Sequence, residues 1–148
     1  MTIVQNGWVN MNVLIDTNIV LDILLKRDPY YENAAQITVL SEKQLINSYI
    51  SASAVTDIYY IAKKELKDKD IALDLLTNIL KVIRIAAITE AGIHEALELK
   101  WDDFEDSVQY IAGLSIEAEY IITRNPNDYG NSQIEVAQPE AFIAEITS

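Results

Sequence analysis

Apolar and polar residues occur along the chain in short blocks, and their spacing predicts alternating strands and helices. Unbroken apolar runs predict buried strands over 12–15, 45–50, 82–86 and 120–123, with a last strand near 134–137. Helical spacing of apolar residues predicts helices over 19–25, from Pro29 to about 41, and over 54–66, 71–80, 90–100, 103–118 and 140–146. Cap-type residues precede three of these helices, namely Ser51 or Ser53, Thr89, and Asp102 or Asp103.

Short strands separated by helices are typical of a mainly parallel sheet that is covered by helices on both faces. The chain has no repeat, low-complexity stretch or linker, so we predict a single α/β domain over 11–148. A second methionine, Met11, stands directly before the first strand. We therefore expect residues 1–10 to be an N-terminal extension that is non-native or disordered.

Composition excludes several classes of protein. Half of the 148 residues are apolar and 23% are charged, which indicates a folded globular domain. The absence of cysteine excludes disulfide frameworks, cysteine zinc sites and thiol nucleophiles. No apolar run is long enough to span a membrane, and the first ten residues do not resemble a secretory signal, so we expect a cytoplasmic protein.

The net charge of −12 argues against broad electrostatic adhesion to nucleic acid. Two explanations remain open at this point. The acids either form a solubilising surface or are partly concentrated in a pocket that a cation neutralises. Their positions along the chain are therefore the informative feature.

Polar residues follow two predicted strands, where ligands bind in parallel α/β sheets. They are Asp16, Thr17 and Asn18 after the first strand, and Thr123, Asn125 and Asp128 at or after the fourth. Asp57 and Asp106 lie in helical stretches that are largely apolar, where an acid without a partner is costly. Each acid also has a purely structural explanation: a helix cap for Asp16, an exposed stripe for Asp57, first-turn acids for Asp103 and Asp106, and a turn for Asp128.

Carboxylates that converge in one pocket repel each other unless some bind protons or a cation joins them. Oxygen ligands suit Mg²⁺ or Mn²⁺. The single histidine, His94, with no cysteine, cannot build a usual zinc site, and we expect it to be a surface or structural residue.

Four segments resemble the PIN-domain family of small nucleases, which includes the VapC-type toxins. They are VLIDTN (13–18), SASAVTD (51–57), DFEDSVQY (103–110) and YIITRNPNDY (120–129), and they occur in the family's order. The resemblance implies a three-layer α/β/α sandwich that cleaves single-stranded RNA with Mg²⁺ or Mn²⁺. It assigns catalysis and metal binding to four acids, Asp16, Asp57, Asp106 and Asp128.

The resemblance also implies supporting roles and partners. Asn18 and Thr123 match polar positions that orient the acids or water, with Thr17 and Asn125 as further candidates. Asp103 competes with Asp106 for the third acid, and Asp57 stands where the family more often has Glu. Family members commonly form homodimers, and in the toxin branch a small antitoxin protein blocks the site.

Substrate contact requires positive charge, for which Lys63, Lys64 and Arg124 are the candidates. The function predicted is therefore a metal-dependent endoribonuclease, such as the toxin of a type II toxin–antitoxin pair. The alternatives are a PIN-fold interaction module without catalysis and a phosphatase with Asp16 as nucleophile. The phosphatase is disfavoured because such enzymes usually have an acid two residues later, where this chain has Asn18.

Overall fold

The structure is a computed structural model that describes residues 10–147, and within them the chain forms five strands and seven α-helices. The strands are β1 (Met11–Ile15), β2 (Ile46–Ser51), β3 (Arg84–Ala86), β4 (Tyr120–Ile122) and β5 (Glu135–Ala137). The helices are α1 (Thr17–Leu24), α2 (Tyr31–Glu42), α3 (Ala52–Leu66), α4 (Lys69–Ile79), α5 (Glu90–Leu99), α6 (Phe104–Ser115) and α7 (Pro139–Thr147). A short 3-10 helix, Pro126–Tyr129, follows β4.

The five strands form one sheet in the order β3-β2-β1-β4-β5, and every pair is parallel. The prediction of a parallel α/β fold is therefore confirmed. The chain moves from β1 outward to β2 and β3, and then returns to β4 on the other side of β1. The carboxyl ends of β1 and β4 consequently lie side by side at the point where the strand order reverses, which is where open α/β sheets bind ligands.

Alternate side chains of the central strands enter two separate cores. Val13 and Ile15 pack with α1, α2, α3 and α7 on one face of the sheet. Leu14 and Ile121 pack with α5 and α6 on the other face. This alternation follows from the two-residue period of a strand, and it produces the three layers that the sequence predicted.

The predicted cap residues lie directly before three helices of the structure, whereas the apolar pattern extends one helix too far. The side chains of Ser51, Thr89 and Asp103 each accept a hydrogen bond from a backbone N–H in the helix that follows. The helix predicted to reach 118 ends at Ser115, because the chain turns there and Glu117 adopts a left-handed conformation with φ of 55°. The helix predicted from Pro29 begins two residues later, at Tyr31, and Pro29 lies in the preceding turn.

Two further expectations concern the chain ends and the membrane. The N-terminal extension predicted over 1–10 lies, apart from Asn10, outside the described residues. Over residues 10–147, no helix combines the length and the apolar character required to cross a bilayer.

Candidate active site

Asp16 lies directly after β1, at the point where the strand order reverses, and its carboxylate is held on both sides. Thr123 Oγ1 donates a hydrogen bond of 2.7 Å to Asp16 Oδ2, and Gln109 Nε2 donates one of 3.1 Å to Oδ1. Asp16 occupies the N-cap position of α1, but its side chain makes no capping hydrogen bond. The carboxylate is therefore directed across the sheet edge, toward β4 and α6, rather than onto its own helix.

Three acids lie near the Asp16 carboxylate, one directly before α6 and two in its first turn. They have different local roles. Asp103 Oδ1 accepts a hydrogen bond of 3.1 Å from the Asp106 backbone N–H, so Asp103 caps the helix. Glu105 Oε1 accepts a hydrogen bond of 3.2 Å from Thr17 Oγ1 and thereby links α6 to the start of α1. Asp106 is partly buried. The capping bond gives Asp103 a structural role and favours Asp106 as the third acid of the site.

Burial and neighbouring negative charges both act on the carboxyl group of Asp106. Burial raises the pKa of Asp106 to about 7, with further contributions from the charges of Asp103, Asp16, Asp128 and Glu105. A carboxyl group at this position is therefore half protonated near neutral pH in the metal-free protein.

The pKa of Glu105 is also raised, mainly by burial. The hydrogen bond from Thr17 opposes this shift, and the charges of Asp57, Asp16 and Asp103 add to it. Asp57 is exposed on α3. Its charge contributes to the raised pKa of Glu105 but not to the raised pKa of Asp106. Asp128 is exposed in the 3-10 helix and acts on Asp106 directly. The charges of Asp16 and Asp128 therefore act on Asp106, whereas Asp57 acts only on Glu105.

The family model of the PIN domain matches residues 12–127. The chain belongs to the PIN-domain family. The match includes Asp16, Asp57 and Asp106 and ends one residue before Asp128, and it confirms the resemblance found in the sequence. No curated protein was found to match the sequence.

Solved structures with the same fold include VapC toxins and their complexes. VapC20 of Mycobacterium tuberculosis, a toxin that cleaves the sarcin–ricin loop, superposes with a TM-score of 0.60 at 14% identity, covering 74% of this chain and 86% of that one. DNA-bound VapBC of Salmonella typhimurium gives 0.68 at 14% identity, covering 87% and 98%. A toxin–antitoxin complex of Klebsiella pneumoniae gives 0.64 at 20% identity, covering 86% and 97%. At sequence identities of 14–20%, this structural similarity establishes the fold alone.

The donor set of this PIN domain fits a hard divalent cation in its chemistry. The candidate ligands are carboxylate oxygens, which Mg²⁺ and Mn²⁺ prefer. The charges of neighbouring acids add to the effect of burial in raising the pKa of Asp106, and a cation would offset that part. Among residues 10–147, however, no three acid or histidine side chains point closely enough at one position to hold an ion as they stand. The charges of the acids act on one another, but the side chains do not converge on one position.

Two polar residues of the site were missed by the sequence analysis. Glu105 lies inside the segment 103–110, but only its neighbours were singled out. Gln109 is fully buried beside Asp16, three residues after Asp106 and so on the same face of α6. A glutamine inside the otherwise apolar run from Val108 onward was a signal that could have identified it.

Asp22 was also missed, and it changes the interpretation of Arg124. Asp22 on α1 is fully buried, and its Oδ2 lies 3.2 Å from Arg124 Nε in an ion pair that is not aligned as a hydrogen bond. The Arg124 guanidinium also lies over the Tyr30 ring, 4.1 Å from its centroid. Burial raises the pKa of Asp22, while Arg124 and Arg27 lower it. The predicted substrate contact of Arg124 therefore competes with a structural role, because its charge already compensates Asp22.

The other residues that the sequence predicted for the site lie at different distances from Asp16 and Asp106. The Asn125 backbone N–H donates a hydrogen bond of 3.2 Å to Thr123 Oγ1, so this loop supports the hydroxyl that holds Asp16. Asn18 is exposed in the first turn of α1. Lys63 and Lys64 are exposed near the end of α3, about 10 Å along the helix axis from Asp57. His94 is exposed on α5, as expected.

Proposed function

We propose that this PIN domain is a metal-dependent endoribonuclease with Asp16, Asp57, Asp106 and Asp128 as the ligands of Mg²⁺ or Mn²⁺. The observation that carries the proposal is the fixed carboxylate of Asp16 among acids that repel one another at the switch point of the sheet. Family membership adds support, since it links this fold and these acids to RNA cleavage.

The chain's own residues supply orientation and a proton acceptor. Thr123 and Gln109 keep both Asp16 oxygens in place. Asp57 and Asp128 are exposed, and their side chains would have to turn toward Asp16 to complete the ligand set. A bound divalent ion lowers the pKa of water and offsets the charge that develops on the phosphodiester. Glu105 lies outside the ligand set, so its carboxylate can accept the proton that the attacking water loses.

The geometry disfavours the phosphatase alternative. A nucleophilic Asp16 would need an oxygen open to the approach of a phosphorus atom, but Asp16 is only 8% exposed. One hydrogen bond to each oxygen holds the carboxylate in place and leaves a lone pair for a small cation. This arrangement suits a ligand or orienting group. The other alternative is a PIN-fold interaction module without catalysis, and a measurement of RNA cleavage distinguishes it from a nuclease.

The first experiment compares cleavage of labelled single-stranded RNA by the purified wild type, Asp16→Asn and Asp106→Asn, with Mg²⁺, with Mn²⁺ and with EDTA. Asp74→Asn, an exposed acid on α4, is the matched control. We expect cleavage by the wild type and Asp74→Asn only, and only with metal, while circular dichroism shows all proteins folded. Cleavage that persists in both site variants, or in EDTA, contradicts the proposal. An inactive wild type that binds no Mn²⁺ in calorimetry supports the silent module.

We further propose that the domain is a cytoplasmic toxin that forms a homodimer and is blocked by a small antitoxin protein. The VapC and VapBC structures with the same fold support this role. Induced expression in a bacterial host should stop growth with the wild type and not with Asp16→Asn. Normal growth with an active wild-type enzyme would favour a role in RNA processing instead.

A further inference from the structure

A pocket of about 380 Å³ opens beside the proposed catalytic acids, and part of its wall is aromatic. Asp106 and Asp128 form the side that it shares with the active site. Lys100, Trp101 and Asp102 come from the connection between α5 and α6. The volume lies in the range of about 300–1,000 Å³ that is typical of sites for small ligands.

The Trp101 ring is fixed in this wall. It packs against Tyr110, with ring centroids 4.9 Å apart, and edge-on against Tyr129 at 6.2 Å. Gly130 allows this packing, because a Cβ added there would lie 3.0 Å from the indole. Trp101 is also partly exposed and lines the pocket, so it presents a rigid aromatic surface to a ligand.

The charges of the pocket select the part of a nucleotide that can enter. Four of the described lining residues are acids, and Lys100 is the only basic residue among them. With Asp106 and Asp128 holding a cation, Asp102 and Asp103 still repel a phosphate that enters the pocket. A nucleobase is flat and uncharged and can stack on Trp101. Lys100 is exposed and can contact the phosphate that leads out of the pocket.

The acids also favour particular bases, because an ionised carboxylate only accepts hydrogen bonds. Asp103 Oδ1 is already used in capping α6, whereas Asp102 is exposed at the pocket and belongs neither to the cap nor to the proposed metal ligands. Guanine presents adjacent N–H groups at N1 and N2, which match the two oxygens of one carboxylate. Uracil presents a single N–H group on the same edge.

We propose that this pocket binds the nucleobase next to the cleaved phosphodiester, with the base stacked on Trp101 and guanine preferred through Asp102. The inference rests on the proposed ribonuclease function and deepens it by naming a base-specific subsite. A base held here lies beside Asp106 and Asp128, so its own phosphate reaches the catalytic acids.

The test uses the fluorescence of Trp101 as a signal that does not depend on cleavage. The chain has two tryptophans, so a Trp8→Phe background reports on Trp101 alone. We titrate it with guanosine and uridine monophosphates in the presence of Mg²⁺, with free tryptophan in parallel to correct for light absorption. We expect saturable quenching, with the guanosine nucleotide binding about tenfold more tightly.

Two substitutions separate stacking from base selection. Asp102→Asn should remove the preference for guanosine, and Asp74→Asn should leave it unchanged. Trp101→Ala in the full-length protein should raise the KM for an RNA with a single guanine about tenfold, and Trp101→Phe should restore most of it. Equal quenching by both nucleotides, or no quenching, overturns the proposal. An unchanged KM for a folded Trp101→Ala also overturns it.

The two proposals fail in different ways. Cleavage of RNA with no response of Trp101 to nucleotides leaves the ribonuclease intact and refutes the pocket. Selective quenching by guanosine monophosphate in a protein that cleaves no RNA supports the pocket and refutes the nuclease.

Discussion

Asp106→Asn should make the metal-free protein more stable at neutral pH while abolishing its activity. Burial, together with the charges of neighbouring acids, raises the pKa of Asp106 from its ordinary value of 3.8 to about 7. The folded protein therefore binds a proton at this carboxyl more tightly than the unfolded chain does. An amide has nearly the same shape and never ionises, so it removes the electrostatic cost.

The size and sign of the effect follow from proton linkage. Because the folded-state pKa lies above the unfolded value, stability falls as the pH rises from about 4 to about 7, and the loss is complete above that range. Each pH unit contributes about 1.4 kcal/mol, so the full interval gives a ceiling of about 4 kcal/mol. Partial exposure of Asp106 and screening by salt reduce the expected gain to about 1–3 kcal/mol at pH 8.

The assay is urea denaturation at pH 4 and at pH 8 in EDTA, for the wild type, Asp106→Asn and the control Asp74→Asn. The stability difference between wild type and Asp106→Asn should be small at pH 4 and large at pH 8, while Asp74→Asn follows the wild type. Adding Mn²⁺ should reverse the order at pH 8, because a ligand at about 1,000 times its Kd stabilises the form that binds it by about 4.1 kcal/mol. An Asp106→Asn protein with the same pH dependence as the wild type would refute the reasoning.

The remaining predictions concern contacts that position the site. Arg124→Met leaves the buried Asp22 with Arg27, at 3.9 Å, as its remaining cation, and we expect a loss of about 3 kcal/mol in urea denaturation. A loss below 1 kcal/mol would show that the ion pair does not stabilise the fold. Thr123→Val removes the 2.7 Å hydrogen bond to Asp16 Oδ2, so kcat should fall about tenfold or more with little change in KM. A change confined to KM would contradict an orienting role. Asp103→Ser should be about 1 kcal/mol more stable than Asp103→Ala in thermal unfolding, because both variants lose the charge that acts on Asp106 and only Ser can retain the α6 cap. Equal melting of both variants would show that capping is not what Asp103 contributes.

Sequence alone determined the elements and the end of the sheet at which the candidate site lies. The apolar runs located the strands, and the predicted cap residues located the starts of the helices that follow Ser51, Thr89 and Asp103, because these signals act over a few residues. The positions of Asp16 directly after β1 and of Thr123 directly after β4 followed from the same local pattern. In a parallel sheet those positions meet at one edge, so a candidate site could be assigned before any contact was known.

Tertiary structure decided which side chains hold the site together. The pairing of Gln109 and Thr123 with Asp16 joins residues about a hundred positions apart, and no local pattern encodes that contact. The same holds for buried Asp22 and Arg124, which join α1 to the loop after β4. Spacing along a helix or strand fixes the face on which a side chain lies, but only packing of the layers fixes the partner that it meets there. For that reason the sequence located the acids of this PIN domain, and the fold determined which of them are held, which repel and which remain exposed.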